Sequence, residues 1–221
     1  MKHNLMLGDC LELMKEIGSG TVDMILCDLP YGTTCCSWDA VIPFEQLWEQ
    51  YERVIKENGA IVLFAAQPFA AVLATSNLKL FRYEIIWEKP SATGFLNAKK
   101  QPLRAHENIL VFYKSQPTYN PQKTFGHERK TAKRKDIGSE HYGKQVNIKS
   151  YDSTERYPRS VQVFSSDKQK QALHPTQKPV ALCEYLIRTY TNEGETVLDT
   201  TRGSGTTGVA CVNTGRAFTG I

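Results

Sequence analysis

Two short segments carry residue types in an order that suits chemistry. The first is Asp28-Leu29-Pro30-Tyr31-Gly32, directly after the apolar run Val22 to Cys27. A carboxylate, a proline-fixed turn and an aromatic ring at the mouth of a sheet suit a planar amine. The Asp accepts a hydrogen bond from an exocyclic NH2, a backbone carbonyl accepts the second, and Tyr31 stacks on the ring. A plain strand-to-turn junction, with Asp28 as turn residue and Pro30-Tyr31 as packing, fits the same residues. The second segment runs from Asp199 through Thr200, Thr201 and Arg202 to Gly203-Ser204-Gly205-Thr206-Thr207-Gly208, and contains G-x-G-x-x-G. Glycines so spaced allow a tight turn and close backbone approach by a ligand, although structural glycines explain a lone match equally well. No Lys-Ser or Lys-Thr pair follows them, which excludes a P-loop. An acid that holds ribose hydroxyls is expected about 20 residues further on; the sequence stops at Ile221 before reaching one.

These segments need elements to hold them. Leu11, Leu13, Met14 and Ile17 fit one face of a short helix closed by Gly18-Ser19-Gly20. Val22 to Cys27 is a buried-strand candidate. The spacing of Leu47, Tyr51, Val54 and Ile55 predicts a helix over 44–56, ended by Asn58-Gly59, with a strand over 60–65. A helix over 68–76 and strands near 83–87 and 108–113 follow. Beyond residue 178 the pattern reads helix 179–191, strand 196–199, helix 206–213 and strand 216–221, with Pro179 at the first turn. Such alternation predicts an α/β fold with a mainly parallel sheet covered on both faces.

The 221 residues carry a formal charge of +4, unevenly spread. Residues 114–170 hold thirteen Lys or Arg against six Asp or Glu, a net +7, leaving −3 for the rest. That block also holds Tyr119, Phe125, Tyr142, Tyr151, Tyr157 and Phe164, and its densest cluster is Arg129-Lys130 with Lys133-Arg134-Lys135. Basic residues among aromatics suit a polyanion whose bases stack; a solvated surface insertion has the same composition. No apolar run approaches the roughly 18 residues that cross a bilayer, and no signal-peptide core is present. The six cysteines include no C-x-x-C, which predicts free thiols in a reducing cytoplasm. The histidines show no ligand spacing, so no metal is expected.

Taken together, these segments resemble the amino-group DNA methyltransferases with the permuted "beta" motif order. Asp28-Leu29-Pro30-Tyr31 is similar to that family's (Asp/Asn/Ser)-Pro-Pro-Tyr motif, with Leu29 in place of the first Pro. Gly8-Asp9-Cys10 through Ile25 is similar to its lead-in, and His174-Pro175-Thr176-Gln177-Lys178-Pro179 to its signature before a helix bordering the donor site. Asp199 with Gly203-Ser204-Gly205-Thr206-Thr207 is similar to its donor loop, although Thr200 and Thr201 stand where the family has Pro and Phe. The resemblance implies a Rossmann-like, S-adenosylmethionine-dependent methyltransferase fold, with catalytic domain 1–113 and 172–221 and a basic target-recognition insertion at 114–171. It implies donor contacts by Asp9, Cys10, Lys178, Asp199, Gly203, Ser204, Gly205 and Thr206, and base contacts by Asp28, Leu29, Pro30 and Tyr31. The Cys35-Cys36 pair is not needed as a nucleophile. Family members with Asp at the first motif position mostly modify adenine N6, so Asp28 favours adenine over cytosine N4. The implied partners are double-stranded DNA, a second copy of the chain and a cognate restriction endonuclease. Two other readings stay open at this point: a relative that binds DNA without methyl transfer, and a methyltransferase for another amine.

Overall fold

The computed structural model describes residues 2–32, 39–132, 150–165 and 177–221. The Cys35-Cys36 pair, the Lys133-Arg134-Lys135 cluster and the His174-Pro175-Thr176 part of the signature lie outside them. The chain divides into two compact units, one of residues 1–120 with 160–221 and one of residues 121–159.

The larger unit is built on β2 (Val22–Asp28), five of whose seven residues are buried. Its side chains alternate between two cores. Ile25 and Cys27 join one, with Leu47, Trp48 and Tyr51 of α2 (Phe44–Val54) and Phe69, Ala70 and Leu73 of α3 (Phe69–Ser76). Met24 and Leu26 join the other, with Leu182, Leu186 and Ile187 of α4 (Val180–Tyr190) and Ala210 and Cys211 of α5 (Thr206–Thr214). A strand covered on both faces reads as an unbroken apolar run, which is why β2 shows no polar alternation. On the first side α1 (Cys10–Met14) also contributes Met14.

The strands are β1 (His3–Leu5), β2, β3 (Ile55–Ala65), β4 (Phe81–Thr93), β5 (Arg104–Phe112), β8 (Val161–Val163), β9 (Thr196–Asp199) and β10 (Ala217–Gly220). They form one sheet in the order β1-β10-β9-β2-β3-β5-β4-β8. From β1 to β3 all pairings are parallel; β5 runs antiparallel to β3 and β4, and β8 pairs parallel with β4. The chain leaves β9 toward β10 on one side and leaves β2 toward β3 on the other. The carboxyl ends of β9 and β2 therefore lie at the point where strand order reverses, the usual ligand crevice of such sheets. Asp23 locks the opposite end, accepting from Thr196 N–H at 2.9 Å and from Lys56 at 2.6 Å.

Several expected boundaries shift. The helix expected to reach 56 stops at Val54, and the strand begins at Ile55 rather than at 60. Gly59 makes this possible: a Cβ there would stand 2.9 Å from the Asp23 carbonyl oxygen. Strands β4 and β5 run well beyond the apolar stretches that predict them, because a hairpin ladder needs only backbone pairing once its buried half is fixed. Strand β1 is short and exposed at the edge of the sheet.

The unit 121–159 contains β6 (Lys130–Ala132) paired antiparallel with β7 (Tyr151–Ser153). A forked Arg129–Asp152 pair at 2.8 and 2.7 Å flanks it, and Lys123 meets Glu155 at 2.9 Å while lying over the Tyr157 ring. This unit falls inside the basic block of the sequence.

Candidate active site

Three strand ends deliver the candidate residues to one edge of the sheet. Asp9 follows β1, Asp28 closes β2, and Asp199 closes β9, and all three strands run in the same direction.

Asp28 is held from two sides. The Tyr31 hydroxyl donates to Oδ1 at 2.8 Å, and the Lys178 ammonium donates to Oδ2 at 2.7 Å. Its side chain keeps 28% exposure, so the carboxylate lies at the surface of the crevice rather than in the core. Leu29 is buried in the α2–α3 core, which fixes the chain where the motif turns. Phe69 stacks on one face of the Tyr31 ring at 4.9 Å between centroids. Burial and the Asp28 charge push the Tyr31 hydroxyl well above its usual range, so it stays a donor.

The loop after β9 is tied to the Asp28 strand end. The Thr201 hydroxyl donates to the Asp28 carbonyl at 3.0 Å, while its N–H donates to Asp199 Oδ1 at 3.0 Å. Thr200 is buried; its hydroxyl lies 2.7 Å from the Tyr51 hydroxyl, and its N–H donates to Cys27 Sγ. Thr200 and Thr201 thus brace the loop by hydrogen bonds. Gly205 takes φ +79° as it opens α5, and a Cβ there would meet nothing within 4 Å, leaving open space on that side of the loop. Ser204 and Thr206 hydroxyls pair at 3.0 Å. Asp199 is fully buried, and burial pushes its carboxyl up to about 6.

Other expected donor contacts behave differently. Asp9 is the N-cap of α1, its Oδ1 accepting from Leu11 and Glu12 N–H at 2.8 and 3.2 Å. Cys10 is half-buried, with burial and Asp9 raising its thiol. Lys178 points at Asp28 and at Glu107, whose Oε2 lies 3.3 Å away, and Glu107 Oε1 pairs with Lys89. Sequence reasoning missed Glu107, Lys89 and the bracing role of Thr201. The only signal for Glu107 is an acid in the last polar positions before the apolar run Ile109 to Phe112. Burial alone would raise the Glu107 carboxyl, but Lys178 and Lys89 outweigh it and hold the group below its usual range. Burial likewise works against the Lys178 ammonium, and Asp28 and Glu107 reverse the effect, holding it above the usual lysine value. Among the described residues no group of three His, Cys, Asp or Glu is arranged to hold a metal, and no helix is long and apolar enough to cross a membrane.

Known proteins resemble this chain in sequence and fold. The type II methyltransferase M.HpaI of Haemophilus parainfluenzae is 27% identical over all of this chain and 70% of its own length. The DNA adenine methyltransferase YhdJ of Escherichia coli K12 is 28% identical over 97% of this chain and 76% of its own. The crystal structure of the M1.HpyAVI–SAM complex superposes with a TM-score of 0.66 at 25% identity, covering 99% of this chain and 91% of that one. The cytosine-N4-specific PvuII DNA methyltransferase gives 0.72 at 14% identity, a likeness of fold, over 100% and 81%. The profile of the N6_N4_Mtase family, described as DNA methylase, matches residues 22–221, so the chain belongs to that family and is an amino-group DNA methyltransferase.

Proposed function

We propose that the enzyme transfers a methyl group from S-adenosylmethionine to the exocyclic amine of a base flipped out of double-stranded DNA, adenine N6 in preference to cytosine N4. The observation that carries this reading is the Asp28 carboxylate at the reversal point of the sheet, its backbone carbonyl tied through Thr201 to the glycine loop. The open side of Gly205 suits a donor lying against the loop, with Asp199, Gly203, Ser204 and Thr206 around it and Asp9 and Cys10 at the neighbouring strand end. When bound, the donor supplies a sulfonium methyl carbon and leaves as the neutral thioether.

An aromatic amine is a poor nucleophile because its lone pair is delocalised into the ring. Asp28 and the Leu29 carbonyl accept its two N–H hydrogen bonds, favouring a more tetrahedral nitrogen that presents its lone pair to the methyl carbon. The base stacks on the face of Tyr31 opposite Phe69. The proton that the methylated amine sheds passes to Asp28, so no covalent enzyme intermediate is required. Pro30 fixes the turn that sets Tyr31 beside Asp28.

The β4–β5 hairpin contributes to the DNA-facing surface, and the basic insertion at 114–171 serves target recognition. The hairpin leaves the sheet at the catalytic edge, since Asn108 of β5 pairs with Ala65 at the carboxyl end of β3. Lys99 and Lys100 are exposed near its tip, beside exposed Phe95 and Leu96. The free buried thiols Cys27, Cys183 and Cys211 suit a reducing cytoplasm. The reading extends to a second copy of the chain and a cognate restriction endonuclease as partners. Methylating long unmethylated DNA and digesting it to nucleosides tests the base preference. N6-methyladenine is expected, and N4-methylcytosine alone would overturn the choice of adenine.

A further inference from the structure

Lys178 comes from a segment whose resemblance assigns it to the donor, yet its ammonium is engaged elsewhere. Only 9% of its side chain is exposed, and it lies between two carboxylates, 2.7 Å from Asp28 Oδ2 and 3.3 Å from Glu107 Oε2. Glu107 Oε1 pairs in turn with Lys89, itself largely buried and 4.7 Å from the centre of the Trp87 ring. The four groups alternate in charge, Asp28, Lys178, Glu107, Lys89, and sum to zero. A buried ammonium with a single carboxylate partner would leave little reason for a second acid and second lysine behind it; the alternation keeps every charge compensated.

Resting on the methyl-transfer reading above, we infer that Lys178 is a positioning residue for Asp28 rather than a donor ligand, and that Glu107, anchored by Lys89, tunes how tightly Lys178 holds it. A carboxylate has about four lone-pair sites on two oxygens. One site on Oδ1 is taken by Tyr31 and one on Oδ2 by Lys178, which fixes the plane of the group from two separate elements. The remaining sites face an incoming amine at a set angle. Glu107 Oε2 makes an ion contact with Lys178 but no aligned hydrogen bond among the described residues, so the link to Asp28 is the tighter one. Glu107 draws part of the ammonium's charge toward itself. Without that pull, Lys178 would pair with Asp28 alone and compete more strongly with the amine. Glu107 sits on β5 and Lys178 just before α4, so the chain of charges also pins the start of α4 to the sheet.

The test separates the two roles of Lys178 by comparing turnover at saturating donor with the affinity for S-adenosylhomocysteine measured by calorimetry. Lys178→Met is expected to lose roughly 100-fold in kcat while the dissociation constant stays within about threefold of wild type. Lys178→Arg should recover about tenfold of that loss, because a guanidinium still pairs with both acids. Glu107→Gln should lower kcat by about tenfold, and Lys178→Met/Glu107→Gln should lose less than the product of the single losses, since the lone acid has gone with its partner. Donor affinity weakened tenfold or more in Lys178→Met, with kcat retained, would overturn the inference and return Lys178 to the donor site. Should Lys178→Met fail to melt cooperatively, the Arg and Gln variants decide by the same split between kcat and affinity. Full turnover by Asp28→Ala is the separate result that would remove the underlying methyl-transfer reading.

Discussion

At the residue scale, Asp199 is the most deeply buried carboxyl among the described residues. Its ordinary value of 3.8 is pushed up to about 6 by complete burial, against the partial compensation of the Thr207 hydroxyl and Thr201 N–H. Between those two values the folded chain keeps a proton that the unfolded chain has released. The stabilisation from that proton is full below 3.8 and lost as pH rises through 6. Asp199→Asn stays neutral and its Oδ1 still accepts from Thr201. It should therefore be more stable than wild type at pH 8, by up to about 3 kcal/mol, with the advantage shrinking toward pH 5. Thermal melts across that range check it, and an advantage that grows on acidification would contradict the burial argument. Thr200 makes a second case. Thr200→Val leaves the buried Tyr51 hydroxyl without its 2.7 Å partner and should lower stability by about 1–3 kcal/mol in denaturant titrations. Unchanged stability would mean that the hydroxyl pair does not brace the loop.

At the scale of elements, the glycine loop works because α5 and β10 lie close enough to hold it. Gly208 is the contact point: a Cβ there would stand 2.9 Å from the Phe218 ring, which is itself buried on β10. Gly208→Ala should cost about 1–3 kcal/mol through overpacking, whereas Gly203→Ala should act on the loop and not on the core, since its Cβ would meet only the Thr201 carbonyl oxygen at 3.9 Å. Equal and small losses in both would contradict this division. Much of this was legible beforehand. The strand 196–199 is observed as read and the glycine-loop helix runs one residue longer than read, because continuous apolar runs closed by Gly and Asp define short buried elements without help from neighbours. The Asp28 strand end was legible for the same reason. The Lys178–Glu107 contact was not, because it joins residues 71 positions apart on β5 and before α4, and no periodicity encodes a side-chain pairing across a sheet edge. The reach of β4 to Thr93 was hidden too, since its outer half is exposed and carries no apolar pattern.

For the whole molecule, the division of charge matters most. A block of net +7 set into a chain otherwise at −3 concentrates attraction for a polyanion within that stretch of sequence. Log affinity for duplex DNA should fall linearly with log salt, and Lys99→Gln/Lys100→Gln should reduce the slope by about 1–2 if both lysines contact phosphates. An unchanged slope in gel-shift titrations would place the hairpin tip off the DNA. The central claim is that the Asp28 strand end performs methyl transfer beside a donor loop rebuilt with threonines. Its most direct test measures, side by side, S-adenosylhomocysteine binding and label transfer to DNA for the wild-type chain and Asp28→Ala. The expected result is equal donor affinity in both and methyl transfer by the wild type alone. Wild-type turnover by Asp28→Ala, or a folded wild-type chain that binds no donor product, would contradict the account.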